Sequence, residues 1–461
     1  MKKLFNIFLV AIRGDEKDFT TGSVNRAIVL LSIPMILEMV MEALFAIVDV
    51  FFVSKVSVNA VATVGLTESV ITIVYSIAIG LSMAAAAMVA RRTGEGDKDA
   101  AAVAAVQAMI IAFGFSLVLS VGGFFFAPDI LRLMGGSETL IEEGVWYTRI
   151  LFGTNFVIMF LFLLNSIFRG AGDAAIAMRS LWIANILNII LDPCLIFGWG
   201  PFPELGLAGA AVATSIGRGV GVAYQLHILI RGSNIIEISR RHLKVAWSII
   251  KRLLNVSMGG MGQYFIASSS WIFLMRIMSE FGEPAIAGYT ISIRLIIFAI
   301  LPAWGMANAA ATLVGQNLGA GKPERAEKSV WTSSFYTMLF LLGVSVMYFV
   351  FAKQIAGFFH DDPEVLRYAV ASLRIISVGY VAFAYGMVIS QSFNGAGDTR
   401  TPTIINFVCF WLLQIPLAYV LSMTFDFEAP GVYWAIAISE SILALVAVLV
   451  FRRGNWKETE I

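Results

Sequence analysis

The chain has 461 residues, 59% hydrophobic and 14% charged, with a net charge of +1 and a mean hydropathy of +0.83. Ordinary soluble domains hold about 25% charged residues, so this composition argues against a water-soluble globule. Near-balanced charge argues against nucleic acid as a partner. Cys194 and Cys409 lie inside apolar runs and His227, His242 and His360 are scattered, so no disulfide framework, zinc site or cofactor is expected.

Residues 4–12 form an apolar run too short to span, beside Lys2, Lys3 and Arg13, and read as a short interfacial helix or tail. Twelve spanning stretches follow: 27–53, 60–90, 101–126, 146–168, 176–198, 206–231, 247–279, 285–315, 327–352, 367–392, 401–424 and 430–451. The 60–90 and 247–279 stretches exceed the bilayer thickness, which implies tilt or protrusion. With both termini on one side, that side holds 23 Lys and Arg residues and the other 5. The asymmetry predicts a multi-pass cell-membrane protein with both termini cytoplasmic.

The first span carries Glu38, Glu42 and Asp49. At i, i+4 and i+11 they fall within about 40° of one another, along a stripe about 16 Å long. Acids on a spanning helix are costly and usually face a watery cavity or a partner. The plainer reading of Glu38 and Glu42 is a helix end reaching lipid headgroups.

The chain repeats itself at one spacing. Gly80-Leu-Ser-Met-Ala-Ala-Ala-Ala-Met-Val returns as Gly305-Met-Ala-Asn-Ala-Ala-Ala-Thr-Leu-Val, and Phe168-Arg-Gly-Ala-Gly-Asp173 as Phe393-Asn-Gly-Ala-Gly-Asp398, each 225 residues on. Arg149 and Gly206 recur as Arg374 and Gly431 in the same register. The predicted fold is all-α: two six-helix bundles related by a pseudo-two-fold axis along the membrane normal. The expected domains are a cytoplasmic tail (1–26), an N-terminal bundle (27–231), a linker (232–246) read as a cytoplasmic surface helix, a C-terminal bundle (247–452) and a tail (453–461). The glycines of Gly94-Glu-Gly96 and Gly319-Ala-Gly321 match no phosphate-binding pattern and read as helix-ending turns. Arg149 and Arg374, matched near helix ends, read as structural.

The informative positions are those the repeat does not copy. Asp49, Asp192, Glu38 and Glu42 map to Leu274, Leu417, Gln263 and Ala267, so the buried acids are expected in the first half alone. On the fifth span Asn185, Asn188 and Asp192 share a face. Pro193 frees a nearby carbonyl, and Thr214 on the sixth adds a hydroxyl. These oxygens suit a monovalent cation such as Na⁺; alternatively Asp49 or Asp192 carries a proton. Interhelical hydrogen bonding is the plainer reading of Asn188 and Thr214.

The residues Ile33-Pro34, Val48-Asp49, Ala60-Val-Ala-Thr-Val-Gly65, Val89-Ala-Arg-Arg-Thr-Gly-Glu-Gly-Asp97, Phe168-Arg-Gly-Ala-Gly-Asp173, Asp192-Pro193 and Gly209-Ala-Ala-Val-Ala-Thr214 stand in an order that resembles the multidrug and toxic compound extrusion (MATE) transporters. The resemblance covers nearly the whole chain. It implies a V-shaped pair of bundles that exports amphipathic, often cationic compounds against H⁺ or Na⁺. It further implies a coupling cluster of Asp49, Asn188, Asp192 and Thr214, with Asn165 lining the same cavity. The run 259–270 lacks an acid that one branch carries in its seventh helix, which favours the DinF-like branch. Glu42 stands where many relatives show glutamine.

The expected function is therefore secondary active multidrug export by a monomer, not enzymatic catalysis. Binding of H⁺ or Na⁺ would neutralise the first-bundle cavity, alter packing around the Pro34 helix and displace cargo outward. Glu38, Glu42, Met35, Phe45, Met39, Met41, Met83 and Met261 are candidates for the substrate wall, methionine because it repacks easily. The alternative is a lipid-linked precursor flippase of the same superfamily. Its pyrophosphate cargo needs a basic cavity, whereas the embedded Arg149, Arg218, Arg294 and Arg374 suggest no cluster.

Overall fold

The computed structural model describes residues 2–15, 18–232 and 236–461. Among the described residues nine helices precede the linker: α1 (Lys2–Arg13), α2 (Val24–Val53), α3 (Val58–Gly94), α4 (Lys98–Phe125), the short α5 (Ala127–Leu133), α6 (Glu138–Gly153), α7 (Asn155–Gly170), α8 (Ala174–Phe197) and α9 (Leu207–Arg231). After it come α10 (Trp247–Met278), α11 (Glu283–Gly319), α12 (Pro323–Gly357), α13 (Pro363–Val378) and α14 (Tyr380–Ala396). A helix over Arg400–Thr424 and another over Ala429–Phe451 complete the described fold, which contains no strand. Apolar stripes face outward, as lipid-facing helices require. On α12, Phe335, Leu339, Leu342, Val346 and Phe349 recur at helical spacing, all exposed.

Among the described residues, seven helices are long and apolar enough to cross a membrane alone, and two bent pairs would each make one more. Those pairs contain the spans expected at 146–168 and 367–392, and each is bent. The helix breaks at Thr154 by 43° and at Gly379 by 60°, positions one repeat apart. At the first break, the Thr154 hydroxyl donates to the Ile150 carbonyl at 2.7 Å, and the Asn155 amide donates to Phe152 O at 2.7 Å. Both carbonyls also accept the Thr154 backbone N–H, so side-chain donors share the last carbonyls of α6 where the helix turns. The linker also differs from the surface helix expected over 232–246. Its described part holds one 3₁₀ turn, Arg240–Leu243, started by Ser239. The Gln107 side chain clamps it, donating to Lys244 O and accepting from Ala246 N, both at 3.0 Å.

The helices group into two units, Met1–Asp18 with Leu37–Ser257, and Phe19–Ile36 with Met258–Ile461. Two helices change unit part-way along. α2 does so after Ile36, two residues beyond Pro34, and α10 after Ser257. In the second unit, a Cβ added to Gly305 would meet Met35 O and Ile36 N at 2.8 Å, so α2 and α11 touch backbone to backbone there. Arg325 donates to the carbonyls of Phe19, Thr21 and Gly22, and Lys322 to Thr20 O at 2.9 Å. The lysine of the Gly319-Ala-Gly321 turn is thus bound to backbone. Gly96 and Gly321 have φ of +77° and +69°, the helix-ending conformation expected of them.

The repeat extends to individual contacts. A Cβ on Gly170 would strike Ala86 O at 2.6 Å; one repeat later, Gly395 lies against Ala311 O. Gly144 lies against the Thr63 side chain. At the corresponding crossing the glycine has changed helices, and Gly288 packs on Val365 O and Ala369 N at 2.6 and 2.9 Å. Close crossings by small residues drive helix association in membranes, where tails are as apolar as leucine. Gly170→Val and Gly395→Val should each lower thermal stability in detergent, by about 1–3 kcal/mol for an overpacked contact. An unchanged melting temperature in either variant would contradict the equivalence of the two crossings.

Candidate functional site

Within the first unit the α2 acids meet different partners. Glu38 is 1% exposed. Its Oε1 accepts from Arg169 Nη1 at 2.7 Å and Asn165 Nδ2 at 3.1 Å. Arg169 also donates to Ser166 Oγ, and Gln225 donates to Asn165 Oδ1, both at 2.7 Å. Glu38 and Asn165 are therefore members of an enclosed ion-pair network, not an open wall. Met35, also expected in the wall, is buried and belongs to the second unit.

The network has a neutral copy one repeat on. Gln263 donates to Asn394 Oδ1 at 2.9 Å and accepts from its amide at 3.1 Å, and Asn394 also donates to Gln391 at 3.0 Å. Gln263, Asn394 and Gln391 occupy the places of Glu38, Arg169 and Ser166. The repeat does copy the Glu38 contact, with its charge removed.

One turn along α2, Glu42 Oε1 accepts from Arg218 Nη2 at 3.3 Å, and its Oε2 from Asn185 Nδ2 at 3.3 Å. Arg218 lies over the Phe45 ring, 5.2 Å from its centroid. Tyr75 of α3 hydrogen-bonds the same guanidinium. Arg218, expected to stand without a cluster, thus sits among the acids. Arg169, in the last turn of α7, neutralises Glu38. Of the other embedded arginines, Arg149 stacks over Trp146 and Phe124, and Arg374 donates to Phe349 O at 3.2 Å.

The aspartates sit further along. Asp192 is fully buried and Asp49 half-buried. Their carboxylates, on α8 and α2, are within electrostatic reach of each other. Arg218 and Glu68 lie within similar reach of Asp49. In the orientation that satisfies both amide ends, Asn188 donates to Asp192 Oδ2 at 3.2 Å. Its oxygen then accepts from the Thr214 hydroxyl at 3.2 Å and the Thr214 N–H at 3.0 Å. Neither aspartate hydrogen-bonds to an arginine among the described residues. The structure brings together Asn188, Asp192 and Thr214, has Asp49 within electrostatic reach of Asp192, and keeps Glu38 and Glu42 in separate ion pairs.

The MatE family description matches residues 34–194 and 261–420. The chain belongs to the MatE family of transporters. Its two matched segments lie one in each half, as the repeat requires. The "Probable multidrug resistance protein NorM" of Thermotoga maritima is 26% identical over 443 residues, covering 95% of this chain and 94% of that protein. An "FAD transporter" of Shewanella oneidensis is 25% identical over 445 residues, covering 95% and 97%. A crystal structure of MATE in complex with MaL6 superposes with a TM-score of 0.89 at 27% identity, covering 97% of this chain and 99% of that one. MATE crystal structures have 12 transmembrane helices, the number expected here. Members of the family are secondary transporters, not enzymes.

Sequence reasoning missed Arg169, Arg218 and Tyr75, all partners of the α2 acids. It also missed Glu440 on the helix Ala429–Phe451, a half-buried carboxylate without a hydrogen-bond partner among the described residues. Glu440 corrects the expectation that only the first half holds buried acids. The available signal was a charge inside an apolar span whose repeat partner, Ser215, is neutral.

The copied network yields a reciprocal test. Glu38→Gln or Arg169→Asn alone leaves a buried charge unpaired, which costs about 3–5 kcal/mol. The pair Glu38→Gln with Arg169→Asn installs the second unit's amide contact and should recover most of that stability in a double-mutant cycle. Additive losses would show that the two networks are not equivalent.

Proposed function

We propose that this chain is a secondary active multidrug exporter, moving amphipathic, mainly cationic compounds outward against H⁺ or Na⁺. The carrying observation is the separation of the first-unit acids into two kinds. Glu38 and Glu42 are met by arginines; Asp192 accepts only from the Asn188 amide, and Asp49 and Asp192 lie within electrostatic reach of each other. Two carboxylates this close repel when both are ionised, so the pair is relieved by a small cation or a proton. The available donor set supports either. Carboxylate, amide and hydroxyl oxygens suit a hard cation, with Asp49, Asn188, Asp192 and Thr214 as its contacts.

Asn188 transmits occupancy. It ties Asp192 on α8 to Thr214 on α9, and Gly217 packs so tightly on α8 that an added Cβ would meet Ala184 O at 2.5 Å. A change at Asp192 is felt by both helices. Alternating access follows if cation and cargo favour different states, as linkage demands. Pro34 supplies a bend point in α2, the helix that bears Asp49. Glu42 and Phe45 contribute an acid and an aromatic face to cargo binding. The exporter acts as a monomer in the cell membrane with both termini cytoplasmic, its bundles being 27–231 and 247–452 joined by 232–246.

Asp49→Asn and Asp192→Asn should each reduce gradient-driven efflux of a lipophilic cation from proteoliposomes by about tenfold or more, the scale of a coupling free energy of roughly 1–3 kcal/mol. The assay, run with a proton gradient and with a Na⁺ gradient, identifies the driving ion. Undiminished efflux in both variants would remove the coupling assignment.

A further inference from the structure

We propose that Arg218 is a tethered occupant of a seat for organic cations, made by the Glu42 carboxylate, the Phe45 ring and Tyr75. The seat already holds a guanidinium, and its walls are those that recognise one. A carboxylate accepts at 3.3 Å, an aromatic face lies 5.2 Å from the cationic carbon, and a phenol hydrogen-bonds from a third helix. An acid beside aromatic faces is the combination that binds guanidinium and quaternary ammonium groups. Asn185 holds the second oxygen of Glu42, so the acid stays in place when its partner leaves.

The grip on Arg218 is incomplete. The residue is 3% exposed, yet its Nε and Nη1 have no hydrogen-bond partner among the described residues. Buried polar groups are normally satisfied. Its bond to Glu42 is also long for a charge-assisted contact, which is usually about 2.7–2.9 Å. Arg169 meets Glu38 at 2.7 Å in the same unit. Arg218 is thus held by a site that fits its charge but not its full donor set. The Glu42 side chain keeps 26% exposure, which leaves an approach for a competing cation. The scaffold does not require the arginine, since the repeat places Leu443 there.

Displacement has a consequence for exchange, and this part rests on the exporter reading. A guanidinium released from Glu42 already has Asp49 within electrostatic reach. Cargo entering the seat therefore moves a fixed positive charge towards the coupling aspartates and helps expel the ion there. Arg218 would set a threshold: cargo must outcompete it, which selects for cations with an apolar body.

Free guanidinium tests the seat without transport. Purified Arg218→Ala should show saturable thermal stabilisation by millimolar guanidinium chloride, at matched ionic strength and with urea as the neutral planar control. The unaltered protein, its seat filled, and the double variant Arg218→Ala with Glu42→Gln should not. If Arg218→Ala fails to fold, Arg218→Leu, the residue the repeat has at this place, stops short of the guanidinium position and allows the same comparison. Equal responses in all three proteins, or none in the single variant, would overturn the proposal. Specific guanidinium binding combined with absent gradient-driven efflux in the unaltered protein would instead count against the exporter reading and leave the seat standing.

Discussion

A carboxylate taken out of water must be met by a cation, a proton or hydrogen-bond donors, and the first unit meets its acids in different ways. Glu38 has a short, enclosed bond to Arg169 and no freedom. Glu42 has a long bond to an arginine whose Nε and Nη1 are unmet among the described residues. Asp49 and Asp192 have no arginine bond and lie within reach of each other. Along one face the compensation passes from fixed, to loose, to left for a mobile ion. That gradient gives the unit its chemistry.

The duplicated scaffold makes the gradient readable. Gly170 and Gly395 press on the same carbonyl of their repeats. Glu38–Arg169 and Gln263–Asn394 form the same joint with and without charge. A contact present in both versions belongs to the framework. Asp49 and Asp192 have no such counterpart. Their equivalents, Leu274 and Leu417, contribute to an apolar cluster that contains the stacked Tyr289–Tyr433 pair, with ring centroids 6.0 Å apart. The second unit fills with hydrocarbon the place where the first keeps its aspartates.

Much of this was legible in the residues. Long apolar runs set the helices, because a spanning backbone must satisfy itself. One spacing of 225 residues located the repeat. The breaks at Thr154 and Gly379 were not legible, because the apolar run continues through each bend and hydropathy does not register a change of helix direction. Asp49, Asn188, Asp192 and Thr214 were legible as polar groups in apolar runs. The arginine partners of Glu38 and Glu42 were not. Arg169 lies at a helix end, where a cation usually means a loop, and Arg218 meets α2 only through the packing of α9. Glu440 was not legible because it stands alone in an apolar run, without a second acid at helical spacing to mark a face.

The central claim is that cargo and a small cation compete for the negative charge of the first unit. Calorimetry of a lipophilic cation binding to the purified protein, repeated in buffers of different ionisation enthalpy and with and without Na⁺, measures what leaves when cargo arrives. The account predicts net release of a proton, or weakening of cargo binding by Na⁺, abolished by replacing Asp49 and Asp192 together with asparagine. Binding that releases no proton and ignores Na⁺ would contradict it.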